Sequence, residues 1–181
     1  VSLHAHLRGV DLAAQAPGFH LEGLRTEWAT NPIGIDEPAP RMSWLLHSDR
    51  RGIRQSAYEI RVAGSPDSMA TPLWTTGRVA SSESVNRPYG GPALRPGRRY
   101  HWQVRAWDDR GAASPWSEPA FWETGLMGPT RWTAKWIVPE LVEDTTRSNP
   151  APMLRSDFTL DGTVASARAY VTSHGLYEME S

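Results

Sequence analysis

The segment from Leu94 to Ser117, LRPGRRYHWQVRAWDDRGAASPWS, restricts the possible fold more than any other part of the chain. Within it Tyr100, Trp102, Val104 and Ala106 alternate with His101, Gln103, Arg105 and Trp107. Successive side chains leave a strand on opposite sides, so this period of two predicts a strand with one buried face. Pro96-Gly97 turns the chain into that strand. Asp108-Asp109-Arg110-Gly111 turns it out again, with Gly111 free to take positive φ. Leu94, Pro96, Gly97 and Tyr100 are spaced so that the tyrosine hydroxyl can bond back to upstream backbone. Such a corner belongs to antiparallel sandwiches of two sheets.

The same alternation recurs on both sides. Leu24 to Trp28 reads as a first strand with Leu24, Thr26 and Trp28 on one face. Asn31 to Pro40 carries three prolines and Gly34 and reads as a loop crossing the end of the sandwich. Arg41 to Leu46 places Met42, Trp44 and Leu46 inward, and Ala57 to Ala63 places Tyr58, Ile60 and Val62 inward with Glu59 and Arg61 in solvent. Leu73 to Val79 reads as a short edge strand, Ser82 to Asn86 as another, and Phe121 to Thr124 as the last. About seven short strands separated by turns is the pattern of a fibronectin type III or immunoglobulin-like β-sandwich. An all-β fold is therefore expected, with that sandwich at 22–126 after an N-terminal lead at 1–21 that is partly disordered.

Beyond Gly125 the texture changes. Trp132 and Trp136 flank an aromatic connector, and Pro139 to Pro152 is polar and proline-rich, so 127–152 reads as a linker. From Met153 a new alternation begins: Leu154, Ser156, Phe158 and Leu160 oppose Arg155, Asp157 and Thr159. Val164 to Val171 reads as its partner across Asp161-Gly162. Two strands bury no core by themselves, so 153–181 is expected to be the incomplete start of a second β-sandwich.

Composition removes several function classes. The absence of cysteine excludes disulfides and thiolate chemistry, and a formal net charge of -1 gives no reason to expect nucleic acid or a membrane surface as partner. Residues 1–20 lack a basic start followed by an apolar run, so no signal peptide is read there and a cytoplasmic chain is the expectation.

The strings LRTEWATNPIGIDEPAPRMSW, RGIRQSAYEIRVAGS, LWTTGRVASSESVNRPYGGPALRPGRRYHWQVRAWD and SPWSEPAFWETGL occur in that order, followed by WTAKWI, APMLRSDFTL and ASARAYVTSHGLYEMES. Each is weak alone. Their order and spacing resemble the amino-terminal region of bacterial α-L-rhamnosidases, from about Leu24 to Glu178. The resemblance implies a fibronectin-type module leading into a further β-module and then an (α/α) barrel that hydrolyses terminal α-L-rhamnosides with inversion. Inversion uses two carboxyl groups roughly 6.5–9.5 Å apart. The barrel that supplies them is not in this sequence, so no catalytic residue carries over and the chain alone is expected to be inactive. The implied partners are the downstream barrel and β-modules and, through them, a rhamnosylated glycan. The alternatives are a stand-alone carbohydrate-binding module and a protein-interaction sandwich, the latter suggested by SPWS at 114–117.

No catalytic, cofactor or metal site is read from the residues. Asp108 and Asp109 are turn residues. Asp36 and Glu37 lie in a loop whose expected role is solvated, with contact to a ligand or domain as the rarer use. His4 and His6 have no third ligand near them, and His20, His47, His101 and His174 are scattered. The tryptophans carry the remaining interest. Trp28, Trp44 and Trp102 read as core by phase. Trp107, Trp116 and Trp122 fall outside that phase and are the candidates for contact with a neighbouring domain or a glycan, the domain being the expected use.

Overall fold

Between residues 19 and 123, alternation becomes pairing. The computed structural model describes residues 18–128, 131–140, 146, 152–175 and 177–179. Eight strands are formed among them: β1 (Phe19–Thr26), β2 (Arg41–Ser48), β3 (Gln55–Ala63), β4 (Trp74–Thr75), β5 (Val79–Ala80), β6 (Arg87–Pro88), β7 (Arg99–Asp108) and β8 (Ala120–Glu123). One sheet runs β1-β2-β6. The other runs β4-β3-β7-β8, with β5 also on β3. All named strand pairs are antiparallel. The fold class is therefore the expected all-β, immunoglobulin-like sandwich.

The core is the set of side chains that alternation assigns inward. Met42 and Trp44 from one sheet meet Ile60, Val62, Trp102 and Val104 from the other, all fully or almost fully buried. Each such side chain stabilises the fold by about 1.5–3 kcal/mol on burial. Trp44 also donates its indole N–H to Gln55 Oε1 at 3.0 Å, and Gln55 donates in turn to the carbonyls of Ser81 and Glu83. Those bonds fasten the segment before β6, which follows the core without forming the strand expected at Ser82–Asn86. The ladder is made instead at Arg87–Pro88, paired with Arg41 and Met42.

Two tryptophans exchange their expected roles. Trp28 is 56% exposed, because β1 stops at Thr26 and does not continue the phase. Glu27 and Trp28 both take positive φ, +46° and +71°, and Thr26 and Ala29 bond each other reciprocally at 3.0 Å. Positive φ at both central residues is the two-residue reversal that matches strand twist, and it turns the indole out of the core. Trp122, expected outside, is fully buried. The β7–β8 register sets Trp122 opposite Tyr100, and the two rings stack at 5.5 Å. A four-residue strand with adjacent Phe121 and Trp122 has no phase of its own, so the neighbouring strand selects it.

The ends of the sandwich also differ in detail. The strand begins at Phe19, and Phe19 and Leu21 are buried, so the sandwich reaches into the expected lead. A register shift between Glu22 and Arg25, with Gly23 at φ +61°, bulges β1. The expected strand at Leu73–Val79 is split into β4 and β5. His4 and His6 lie outside the described residues, as does most of the Pro139–Pro152 segment.

The loop Asn31–Pro40 does more than cross the end. Ile35 bridges Thr124 in parallel, Ile35 N donates to Glu123 O, and Gly125 N donates to Ile35 O. Asn31 Oδ1 accepts from Phe121 N. The loop thus covers the open side of β8, which would otherwise be a bare sheet edge.

The chain divides into two compact units, Val1–Thr133 and Ala134–Ser181. In the second, the described residues from 152 to 175 form no strand, and Met153 and Phe158 stay exposed. The alternation there is real, but the described residues supply no partner sheet, and two strands do not stabilise each other in water. Trp136 and His174 stack within this unit at 4.2 Å.

The expected corner is formed: Tyr100 Oη accepts from Arg95 N at 2.8 Å, and Thr124 beside it accepts from Arg98 N and donates to Arg95 O. Replacing Tyr100 with Phe removes a buried acceptor and is expected to destabilise the sandwich by about 1–3 kcal/mol. Denaturant unfolding measures it, and an unchanged midpoint would show that the hydroxyl carries no weight.

Candidate functional surface

The outward residues of β3 and β7 meet in register: Glu59 faces Arg105, Arg61 faces Gln103 and Ala57 faces Trp107. Arg105 binds Glu59 through Nε and Nη2 at 2.9 and 2.7 Å, and Arg61 donates twice to Gln103 Oε1. Guanidinium planes then alternate with indole planes. Arg78 and Arg105 lie over Trp107 at 4.6 and 5.0 Å, and Arg61 and Arg105 over Trp116 at 4.0 and 4.7 Å. Burial and the charge of Arg105 lower the Arg61 pKa from its ordinary value.

Trp116 is held there by the serines around it. Pro115 has no N–H to give to a ladder. Ser114 and Ser117 supply the missing bonds: their hydroxyls accept from Ala106 N and Val104 N, while their own N–H groups donate to Ala106 O and Val104 O. Gln103 Nε2 adds a bond to Ser117 O. SPWS is thus an irregular edge segment tied to β7 by side chains, with Trp116 projecting onto the arginines.

Of the three tryptophans named from the sequence, Trp107 and Trp116 come together in this ladder, both half-buried, and Trp122 does not because it lies in the core. The charged groups of the turn have structural partners as well. Asp108 is 1% exposed and accepts from Arg110 N and Ala112 N. Asp36 Oδ1 accepts from Met127 N at 2.8 Å, so this loop carboxylate holds the backbone just after β8. A hollow of about 440 Å³ lies beside it, lined by Leu126, Met127, Gly128 and Trp132.

A second surface on the other sheet was not visible in the sequence. A hollow of about 230 Å³ is lined by Gly23, Arg25, Trp28, Ser43, Trp44, Leu45 and Val85. The Trp28 turn beside it is clamped by Glu27, whose carboxylate accepts from Arg41 N, Nε and Nη2. The hydrogen bond from Arg41 holds the Glu27 carboxyl below the ordinary glutamate range. No group of three or more metal-ligating side chains occurs among the described residues, and no described helix is long and apolar enough to cross a membrane.

Arg105→Ala removes two stacking contacts and the Glu59 pair together, and is expected to cost about 1–2 kcal/mol in urea unfolding. Arg105→Lys should restore little, since an ammonium cannot stack as a plane; full recovery by lysine would contradict the ladder. Glu27 gives a pH test. Its folded pKa is depressed, so its contribution is present above the unfolded-chain value of about 4.3 and is lost as pH falls through the lower folded value. Wild type should lose more stability than Glu27→Gln on acidification through that window, and parallel curves would count against the clamp.

Comparison with known proteins agrees with this architecture. The model of the Rha78A-like, N-terminal immunoglobulin domain matches residues 21–128. An α-L-rhamnosidase of Streptomyces avermitilis is 48% identical over 128 residues, which is 70% of this chain and 12% of that protein. One from Formosa agariphila is 32% identical over 173 residues, 82% of this chain and 18% of that protein. Among solved structures, the S. avermitilis α-L-rhamnosidase complexed with L-rhamnose superposes with a TM-score of 0.65 at 47% identity, covering 66% of this chain and 12% of that one. The α-L-rhamnosidase from Dictyoglumus thermophilum gives 0.63 at 38% identity, covering 66% and 14%. The chain therefore spans less than a fifth of the length of these relatives, and it belongs to the family of Rha78A-like N-terminal immunoglobulin domains.

Proposed function

We propose that this chain is the amino-terminal accessory portion of an α-L-rhamnosidase, a glycoside hydrolase that releases terminal α-L-rhamnose, with the catalytic machinery in a downstream part of the same protein. One observation carries this reading: nearly half of the aligned residues are identical to those of an α-L-rhamnosidase, yet the match takes up 12% of that enzyme. A hydrolase site needs an acid and a base across a bound sugar. The carboxylates prominent in this sequence have other work: Asp108 shapes a turn, Asp36 holds Met127 N, Glu59 pairs Arg105 and Glu27 clamps a turn.

The accessory role is mechanical. Asp36 and Ile35 bind the backbone at Met127 and Gly125, so the chain leaves β8 in a fixed direction toward the connector at 127–152. The partners are then the barrel and β-modules of the same protein, with the segment from 153 contributing to the next module. Trp107 and Trp116 support contact with a domain better than stacking on a glycan, because arginines already lie over their rings.

The test is to recover from the source cells, with an antibody raised against residues 18–128, the polypeptide that contains this chain. A longer product that releases p-nitrophenol from p-nitrophenyl α-L-rhamnopyranoside is expected, while the 181-residue chain alone releases none. A product no longer than this chain, without that activity, would overturn the assignment.

A further inference from the structure

The hollow beside Trp28 sits on the solvent face of the β1–β2 sheet, away from the arginine–tryptophan ladder. Three features distinguish it from a chance apolar dent. Its wall is an indole held out by two consecutive non-glycine residues at positive φ. A bulky residue in that region is a backbone outlier, which persists only where the surroundings enforce it. Here the Glu27–Arg41 clamp and the bond from Arg25 Nη1 to Trp28 O at 3.4 Å provide that enforcement. Its floor is kept low by Gly23, where a Cβ would lie 3.0 Å from Leu45 Cδ1. Its residues sort by polarity: Trp28, Leu45 and Val85 are apolar and about half exposed or more, whereas Arg25 and Ser43 face each other across the strands. The next cross-strand pair along the row is Glu22 with Leu45.

At about 230 Å³ the hollow is smaller than the roughly 300–1,000 Å³ usual for drug-sized ligands and suits a single ring. An aromatic side chain and an aliphatic rim, in a mostly apolar lining that also includes Arg25 and Ser43, match one kind of molecule well. A sugar ring presents C–H groups on a face and hydroxyls around its edge.

We propose that this hollow binds one 6-deoxyhexopyranose unit, with a C–H face of the ring on Trp28 and its methyl group against Leu45 and Val85. Arg25 and Ser43 bond the hydroxyls. The Arg25 guanidinium can donate, because its only bond among the described residues is the long one to Trp28 O. Ser43 Oγ accepts from Asn86 N, which leaves its own proton to donate. The apolar rim sets the class of sugar. A hydroxymethyl group in place of the methyl would leave a hydroxyl without a partner against Leu45 and Val85, and unpaired polar groups are penalised on burial. The proposal goes beyond the accessory role above and rests on it only for the choice of L-rhamnose as probe.

The experiment is a titration of the 181-residue chain with L-rhamnose and separately with L-mannose, which differ only at C6. It is followed by the tryptophan indole N–H resonances and by calorimetry. Saturable binding of L-rhamnose is expected, with L-mannose about tenfold weaker. Trp28→Ala should weaken L-rhamnose binding by about tenfold. Leu45→Ser should narrow the difference between the two sugars. Both side chains are exposed, so the variants should keep the wild-type melting midpoint, which is checked in parallel. Equal binding of the two sugars would overturn the deoxy-sugar assignment. No saturable shift at tens of millimolar, or binding indifferent to Trp28→Ala, would overturn the site and point to a protein segment as what covers this face. Rhamnosidase activity of the longer gene product would be untouched by any of these failures, so the two readings fall separately.

Discussion

The pairing of β3 with β7 is the constraint on which the rest of the structure depends. Its register sets Tyr58, Ile60 and Val62 beside Ala106, Val104 and Trp102 on the inner face. The same register sets Glu59 and Arg61 beside Arg105 and Gln103 on the outer face. A slip of one residue would turn one of the two strands over. The core would then hold either Glu59 and Arg61 or Gln103 and Arg105, and the ladder of guanidinium and indole planes could not form. Burial and outer-face electrostatics therefore reinforce one register, which is the agreement between levels expected of a sequence that specifies a single fold.

The two sheets carry different surfaces as a result. On the larger sheet, arginines lie against Trp107 and Trp116, with Arg105 paired to Glu59 and Arg61 bonded to Gln103, giving a stiff, polar face. On the smaller sheet the bulge at Gly23 and the reversal at Glu27–Trp28 interrupt the strand, and an apolar hollow opens between them. The stiff face suits packing against a neighbouring domain. The hollow has the scale of one small molecule. One sandwich can carry both, because the two surfaces lie on opposite sheets.

The loop Asn31–Pro40 links the fold to its setting. A four-residue β8 would be a weak closing strand, yet the loop pairs with its outer edge, Asn31 bonds to backbone within it and Asp36 to backbone just after it. The last strand is thus held by β7 on one side and the loop on the other. That arrangement fixes the point from which the chain departs.

Much of this was legible in the sequence for a local reason. Long strands such as Gln55–Ala63 and Arg99–Asp108 contain enough alternation to declare their inner face, and Tyr100 sits at the spacing its hydroxyl bond requires. Trp28 and Trp122 were assigned to the wrong sides because their phase is set by something outside the local pattern. A reversal at two residues with unremarkable names expels Trp28, and pairing with Tyr100 draws Trp122 in. The alternation of 153–171 was equally clear but formed no ladder, since pattern specifies a face and only a partner sheet can bury it. By itself, then, the sequence determined the all-β class, the inner residues of the long strands and the family resemblance, because these depend on periodicity and order. Tertiary structure alone decided which tryptophans stack on arginine, which fill the core and which stands beside a hollow, because contacts between strands distant in the chain have no local signature.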